Sequence, residues 1–359
     1  MILLLGMLAS LGCSEMAFSQ DTGTVRAQGQ DVDLSRDDAA QDDDGAGGGK
    51  QVREPRQEMR KLIRDISKYS RQFKQNFVVM TQGGLDLLEK IDAVDSTRKS
   101  PANTFIRSLD GIVVPGLNYH PPLPGKTETS VNRKIRESLV LLTDLGKSRG
   151  LTIWVTDYAE SIKAAEESIK INRSKGYVPF AAFGPGFLFN KIPTFPRRPI
   201  DENPGNIIGI KSVKNFLYLT DSSGYDRQEN FVRALSNTNF DAIIVDVFHR
   251  GRKAFRKNSV RSMKFKKLGA QRLVLAYMNI GQADSFRYYW KDNWREGNPS
   301  FISSPALGNP DRYFVKYWHP DWKNIMTGNP NSYIFGIMAQ GFDGVVLDGI
   351  DAFKFFEGG

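Results

Sequence analysis

The stretch LVLAYMNIGQADSFRYYW, residues 273–290, decides the architecture. Its opening residues are continuously apolar rather than alternating, the pattern of a strand buried on both faces in a parallel sheet. The run then breaks at Gly281 and delivers Gln282, Asp284 and Arg287 just beyond its end. A buried strand that empties into polar residues is the repeating unit of a barrel whose working face lies at the C-terminal ends of its strands.

Moving outward, the same kind of run recurs as NFVVMTQ, LDGIVVPGL, LTIWVTDY, GYVPFAAF, FLYLTD and FDAIIVDVF before this stretch and as FDGVVLDGID after it, eight candidate strands in all. Helical patterns such as VNRKIRESLVLLTDLGKSRG, AESIKAAEESIKINRSKG and DRQENFVRALSNT lie between several of them. Ahead of the first, REPRQEMRKLIRDISKYSRQF places Met59, Leu62, Ile63 and Ile66 on one helical face with charges opposite. The fold class expected is therefore α/β, a parallel eight-stranded (β/α)8 TIM barrel over residues 56–359. A doubly wound open sheet is the alternative. No GxGxxG or GxxxxGK[ST] turn follows any strand, so nothing supports a nucleotide fold.

Two further segments are expected before the barrel. MILLLGMLASLG is too short to span a bilayer but suits an export signal over residues 1–19, although no Lys or Arg precedes it. SLGC resembles a bacterial lipoprotein box, with a lipid anchor at Cys13, while AFSQ gives Ala17 and Ser19 the small-residue spacing of an ordinary cleavage site. Either implies an exported protein, extracellular, periplasmic or membrane-anchored. Residues 20–55 carry eight Asp against few basic residues and a GAGGG run, the composition of a disordered acidic linker. Once the linker's net −5 and Glu15 are set aside, the formal +9 of the whole chain becomes +15 on residues 53–359.

Cys13 is the only cysteine, and His120, His249 and His319 include no i,i+4 pair. That excludes an internal disulfide and a thiolate zinc site, and neither a metal centre nor a cofactor is expected.

The chemistry is carried by acids at strand ends: Asp157, Asp221, Asp246, Asp284, Asp348 and Asp351. Each alone could be a cap or turn residue. At equivalent barrel positions they gather around one mouth, suited to sugar hydroxyls and to acid/base work. Glycoside hydrolysis uses two carboxyl groups, about 5 to 5.5 Å apart for retention and roughly 6.5 to 9.5 Å apart for inversion. Asp246 and Asp284 close consecutive strands and form the leading catalytic pair, with Asp348 the third candidate.

These blocks carry a resemblance. RLVLAYMNIGQADSFRYYW, with FDAIIVDVF before it and RYFVKYWHPDWKNI and GFDGVVLDGIDAFKFFE after it, resembles glycoside hydrolase family 114, the endo-α-1,4-polygalactosaminidases and their barrel relatives. The likeness covers most of residues 58–357, with the early blocks in an order that looks circularly permuted. It implies an exported glycosidase that cuts an α-linked, galactosamine-type polysaccharide. By this resemblance a catalytic acid of the family falls on Asp246, and the acids of its VYLD block on Asp348 and Asp351. Its SIGEAEDYR pattern falls on NIGQADSFR, so that Gln282 replaces a Glu, Asp284 shortens a Glu and Ser285 replaces an Asp, while Gly281 and Arg287 stay. A Glu frequent after DGI is Pro115 here.

Gln282 can hydrogen-bond a sugar but cannot transfer a proton at ordinary pH. A catalytically degenerate carbohydrate-binding barrel is therefore the competing reading. Asp157, Gln282, Arg287, Asp351, Tyr317 and Trp318 are the expected substrate contacts, the last two by stacking on sugar rings. Tyr288, Tyr289 and Trp290 serve equally well packing a barrel helix against the sheet. The run HRGRKAFRKNSVRSMKFKK could attract an anionic surface or nucleic acid, but it contains no nucleic-acid motif and reads adequately as an exposed helix, so no nucleic-acid partner is expected. A net +15 also opposes a cationic deacetylated polymer unless the acidic mouth dominates locally.

Overall fold

A computed structural model describes residues 54–358 apart from 93, 96, 122–128, 184–188 and 197. The signal segment, Cys13 and the linker up to residue 53 lie outside the described residues.

All eight apolar runs become strands of one sheet: β1 Val78–Gln82, β2 Gly111–Pro115, β3 Thr152–Ala159, β4 Val178–Phe183, β5 Phe216–Leu219, β6 Ala242–Asp246, β7 Leu273–Asn279 and β8 Gly344–Asp348. The order is β4-β3-β2-β1-β8-β7-β6-β5, every neighbouring pair parallel. First and last strands pair directly, Val78 opposite Gly344. The barrel is thus nearly closed; among the described residues no ladder joins β4 to β5. Aromatic rings occupy that seam, with Trp154 stacked on Phe216 at 4.6 Å, Phe180 5.6 Å from Phe216 and Phe189 4.9 Å from Tyr218. Such rings each bury a large apolar area and so supply cohesion where backbone pairing stops.

Helices alternate with the strands: α1 Pro55–Phe73, α2 Asn103–Arg107, α3 Arg133–Ser148, α4 Ile162–Ser174, α5 Gln228–Ser236, α6 Lys257–Met263, α7 Pro320–Met326, α8 Tyr333–Gln340 and α9 Ala352–Glu357. The α1 helix buries Met59, Leu62, Ile63 and Ile66, the face its periodicity specified, and starts with Pro at a position where no intrahelical N–H bond is needed. Its first turn meets the end of α9 through Arg56 and Glu357 at 2.7 Å.

Three strands begin with an acid, in LDG, FDA and FDG, and all three acids do the same work at the N-terminal end of the barrel. Asp110 accepts the backbone N–H of Val79 at 2.7 Å, Asp241 that of Lys214 at 2.9 Å and Asp343 that of Val274 at 3.0 Å. Each also takes a cation: Arg71 at 2.9 Å, the fully buried Lys266 at 2.6 Å and Lys264 at 2.7 Å. The glycine after two of these acids permits close strand approach, since a Cβ at Gly344 would lie 2.3 Å from the Val78 carbonyl oxygen. Lys264 and Lys266 are thereby absorbed into the scaffold, so the basic run is not a uniform exposed helix; α6 accounts for only its middle.

Between β7 and α7 the expected helix is absent. A small antiparallel sheet of Gln282–Asp284, Asn309–Val315 and Ile302–Ala306 stands there instead. Trp290 packs on Tyr313 at 5.1 Å and Trp294 on Phe301 at 5.3 Å within that insertion, and Phe301 in turn meets Trp322 of α7 at 5.7 Å.

Candidate active site

The strand registers decide which side chains meet. Asp246 on β6 lies level with Tyr277 on β7, and Asn279, two residues on, lies level with Asp348 on β8. Side chains alternate faces along a strand and match across neighbours, so these four project on one side, into the barrel mouth. A cavity of about 460 Å³ opens there, lined by Asp221, Asp246, Arg250, Arg252, Tyr277 and Arg312 among others.

Arg287 is the centre of the charge network. Its guanidinium grips Asp246 with both ends, Nη1 to Oδ1 at 2.9 Å and Nη2 to Oδ2 at 2.7 Å, while its Nε reaches Asp284 at 3.4 Å. Arg312 Nε binds the other oxygen of Asp284 at 2.7 Å. Burial works against the Arg287 charge, but Tyr333, Asp246 and Asp284 outweigh it and raise its pKa. Asp284 is 1% exposed and spanned by two guanidinium groups. Asp246 keeps an edge on the cavity; its Oδ1 also accepts the Phe248 N–H at 2.8 Å, and the carboxylate retains acceptor capacity beyond these bonds.

Asp348 differs from both. It sits among tyrosines, and desolvation raises its pKa despite the hydrogen bond that Tyr277 donates to it, the Gly349 N–H and the charge of Arg312. Tyr277, in turn, lines the cavity beside Asp246. Asp246 and Tyr277 are level on adjacent strands, and Asp348 stands one strand over and two residues further along, so two strand spacings and two residues of rise put the Asp246 and Asp348 Cα atoms roughly 12 Å apart.

The turn after β7 is built to touch the turn after β8. A Cβ at Gly281 would lie 2.0 Å from the Gly349 carbonyl oxygen, which explains the glycine. Asn279 accepts the N–H groups of Gly281 at 3.2 Å and Gln282 at 2.9 Å and donates to the Gln282 side chain at 3.2 Å. Gln282 is therefore held at the mouth, next to the Asp348 turn. Asp351 is exposed, paired with Lys354 at 3.1 Å and positioned over the end of β1 near Gly83.

The other expected contacts lie elsewhere. Asp157 is fully buried and faces α4, where it accepts from Asn118 N and Nδ2, both at 2.9 Å, Tyr119 N at 3.2 Å, Ser168 at 2.8 Å and Asn172 at 3.0 Å. It fastens a loop and a helix to β3 and presents nothing to the mouth. Tyr317 is also fully buried; its hydroxyl donates to the Pro55 carbonyl at 2.7 Å. Trp318 packs on Phe356 at 4.8 Å. Neither aromatic lines the cavity. Both sit where α1, α9 and the insertion meet. Among the described residues, no three His, Cys, Asp or Glu side chains converge to hold a metal ion.

Three contributors went unread in the sequence, Tyr277, Asn279 and Arg312, while Arg250 and Arg252 were read as part of the basic run that follows β6. Tyr277 and Asn279 break an otherwise aliphatic strand just before its end, which is a signal. Arg312 belongs to an insertion with no periodic pattern and gave none.

Residues 222–359 match glycoside-hydrolase family GH114. That segment carries Asp246, Gln282, Asp284, Arg287 and Asp348 together with strands β6 to β8. The chain is also 32% identical over 178 residues to an uncharacterized protein of Methanocaldococcus jannaschii, covering 49% of each chain. An uncharacterized protein of Thermotoga maritima is 30% identical over 149 residues, covering 41% of this chain and 44% of that one. One from Deinococcus radiodurans is 32% identical over 163 residues, covering 45% and 47%. The chain spans about half the length of these curated relatives. The GH114 match and the barrel agree on a glycoside hydrolase or a related carbohydrate-binding role.

Proposed function

We propose that the barrel mouth hydrolyses a glycosidic bond of a polysaccharide, with Asp348 as proton donor and Asp246 as the charged partner that activates water. The observation that carries this is the contrast between the two carboxyl groups. Asp348 is desolvated with a raised pKa and so retains its proton at higher pH, as a general acid must. Asp246 is instead gripped by both ends of the Arg287 guanidinium, at 2.9 and 2.7 Å, with an edge left on the cavity. A Cα separation of roughly 12 Å suits the wider carboxyl spacing of an inverting enzyme better than the narrow retaining one. Asp284 serves to hold Arg287 and Arg312 in place, and Gln282 and Asp351 bind hydroxyls. The family resemblance supplies the substrate class, an α-linked amino-sugar polymer of galactosamine type. Its N-acetylated, uncharged form suits a basic barrel better than the free amine. Export by the apolar leader of residues 1–19 would bring the protein to where such polymers are met.

Release of reducing ends from α-1,4-linked galactosamine polymer, acetylated and deacetylated, tests this. Turnover by the full chain that vanishes in both D348N and D246N supports it, and wild-type turnover in D348N refutes the assignment of the acid. A carbohydrate-binding barrel without turnover is the second reading, favoured by Gln282 and by the double guanidinium clamp on Asp284. It predicts calorimetric binding of the same polymer with no reducing ends released, and release on Gln282→Glu.

A further inference from the structure

The loop after β6 carries two arginines that the hydrolytic reading does not use. Arg250 and Arg252 are exposed, line the cavity beside Asp246, and make no ion pair with any carboxylate among the described residues. The acids nearest to hand are already engaged: Asp221 accepts from the Ser223 N–H and hydroxyl, both at 2.7 Å, Asp246 holds Arg287, and Asp311 accepts from Ser285 at 3.2 Å.

The loop is also fixed, unlike an ordinary solvated tip. Arg250 and Gly251 both adopt left-handed backbone, with φ of +52° and +74°. A non-glycine residue in that region is uncommon and is kept only where its surroundings over-determine it. Here the Arg250 N–H donates to Ser222 Oγ at 2.7 Å, and Gly251 lies so close to Phe286 that a Cβ would approach that ring to 3.0 Å. The Gly251 carbonyl accepts from Arg287 at 3.5 Å, the same guanidinium that clamps Asp246. The backbone that carries the two arginines is thus fixed relative to Asp246, which spares a ligand the cost of ordering the loop.

We propose that Arg250 and Arg252 form an acidic-sugar subsite beside Asp246, so that the polymer carries, next to the amino sugar that is cleaved, a unit with a carboxylate or a sulfate. A guanidinium pair offers planar, multidentate donors matched to either oxyanion, and the formal +15 of residues 53–359 would draw an anionic chain to the mouth. This rests on the glycan reading of the mouth, but it concerns binding and not bond cleavage.

The test uses the full chain carrying D348N, to prevent turnover, in calorimetric titration. The probes are an α-1,4-linked galacturonic acid pentamer, its fully methyl-esterified counterpart, and a sulfated oligosaccharide of equal length. The acidic pentamer or the sulfated one should bind at least about tenfold more tightly than the ester, and Arg252→Ala should remove about tenfold of that, equivalent to 1.4 kcal/mol. Arg250→Gly, which retains the backbone conformation, should do the same. Arg256→Ala, exposed at the start of α6 and outside the cavity, should leave binding unchanged. Matching thermal unfolding of the variants shows that the loss is local. Equal affinity for acid and ester, an equal loss in Arg256→Ala, or equally tight binding of single-stranded DNA of matched charge overturns the subsite. Absence of reducing ends in the hydrolysis assay overturns the catalytic reading and leaves this result standing.

Discussion

Replacing Arg287 by Met keeps a long unbranched side chain but removes the charge that two carboxylates share. Asp246 then loses both of its guanidinium hydrogen bonds, at 2.9 and 2.7 Å, and keeps only the Phe248 N–H at 2.8 Å. Asp284 loses a 3.4 Å contact but keeps Arg312 at 2.7 Å. The damage is therefore concentrated on Asp246, a side chain only 11% exposed. Removing one partner of a buried ion pair costs about 3 to 5 kcal/mol, because a charge is stranded in a poorly solvated site. Urea unfolding at pH 7 should show a loss of that size. The sign of its pH dependence is diagnostic. In the variant, Asp246 is desolvated without a counter-ion, so its folded pKa rises above the unfolded value; folding then binds a proton, and stability falls as pH rises. The deficit against wild type should consequently shrink as pH is lowered from 7 toward 5, and Arg287→Met with Asp246→Asn should recover most of it at pH 7. A deficit below about 1 kcal/mol, or one that is the same at pH 5 and pH 7, would falsify the claim that Arg287 is there to hold a buried carboxylate.

Asp348→Asn should stabilise the fold at neutral pH while abolishing turnover, because the raised pKa of Asp348 means its ionisation is lost stability as pH rises through that pKa; thermal unfolding at pH 7 checks it. For the same reason kcat of the wild type should fall on the alkaline side through the Asp348 pKa, and Tyr277→Phe, by deleting the hydroxyl that stabilises the charged form, should move that limb to higher pH. Asp157→Ala strands five donors and should cost at least about 3 kcal/mol in urea unfolding while leaving oligosaccharide affinity of the folded protein unchanged. Proton NMR of the first-released anomer should show inversion, and a retained anomer would refute the inverting assignment of Asp246 and Asp348.

The eight strands were legible because burial on both faces leaves a run of Val, Ile, Leu, Phe and Met that no helix of this length would need. The long helices were legible from one-sided periodicity, as in α1. The insertion after β7 was not: its strands pair at a sheet whose faces are half-buried, and its aromatics serve local packing, so neither period is written in it. Among site residues, Asp246 and Asp348 stood out as acids at the ends of buried strands, and Arg287 through the family resemblance alone. The same rule also selected Asp157, which ends up on the opposite face of β3.

Sequence by itself determined that this chain folds as an (β/α)8 barrel, because hydrophobic burial is a one-dimensional pattern that each strand and helix carries internally. It also determined which residue types could do chemistry at the mouth. Only the tertiary structure decided their surroundings. Whether an aspartate is a proton donor, a counter-ion or a hydrogen-bond hub depends on what surrounds it: tyrosines and low solvation for Asp348, one shared guanidinium for Asp246, two for Asp284, and five N–H and O–H donors for Asp157. Those neighbours come from distant segments such as residues 118, 168, 172, 287 and 312, and a carboxyl group's proton affinity is set by through-space electrostatics that no local pattern records.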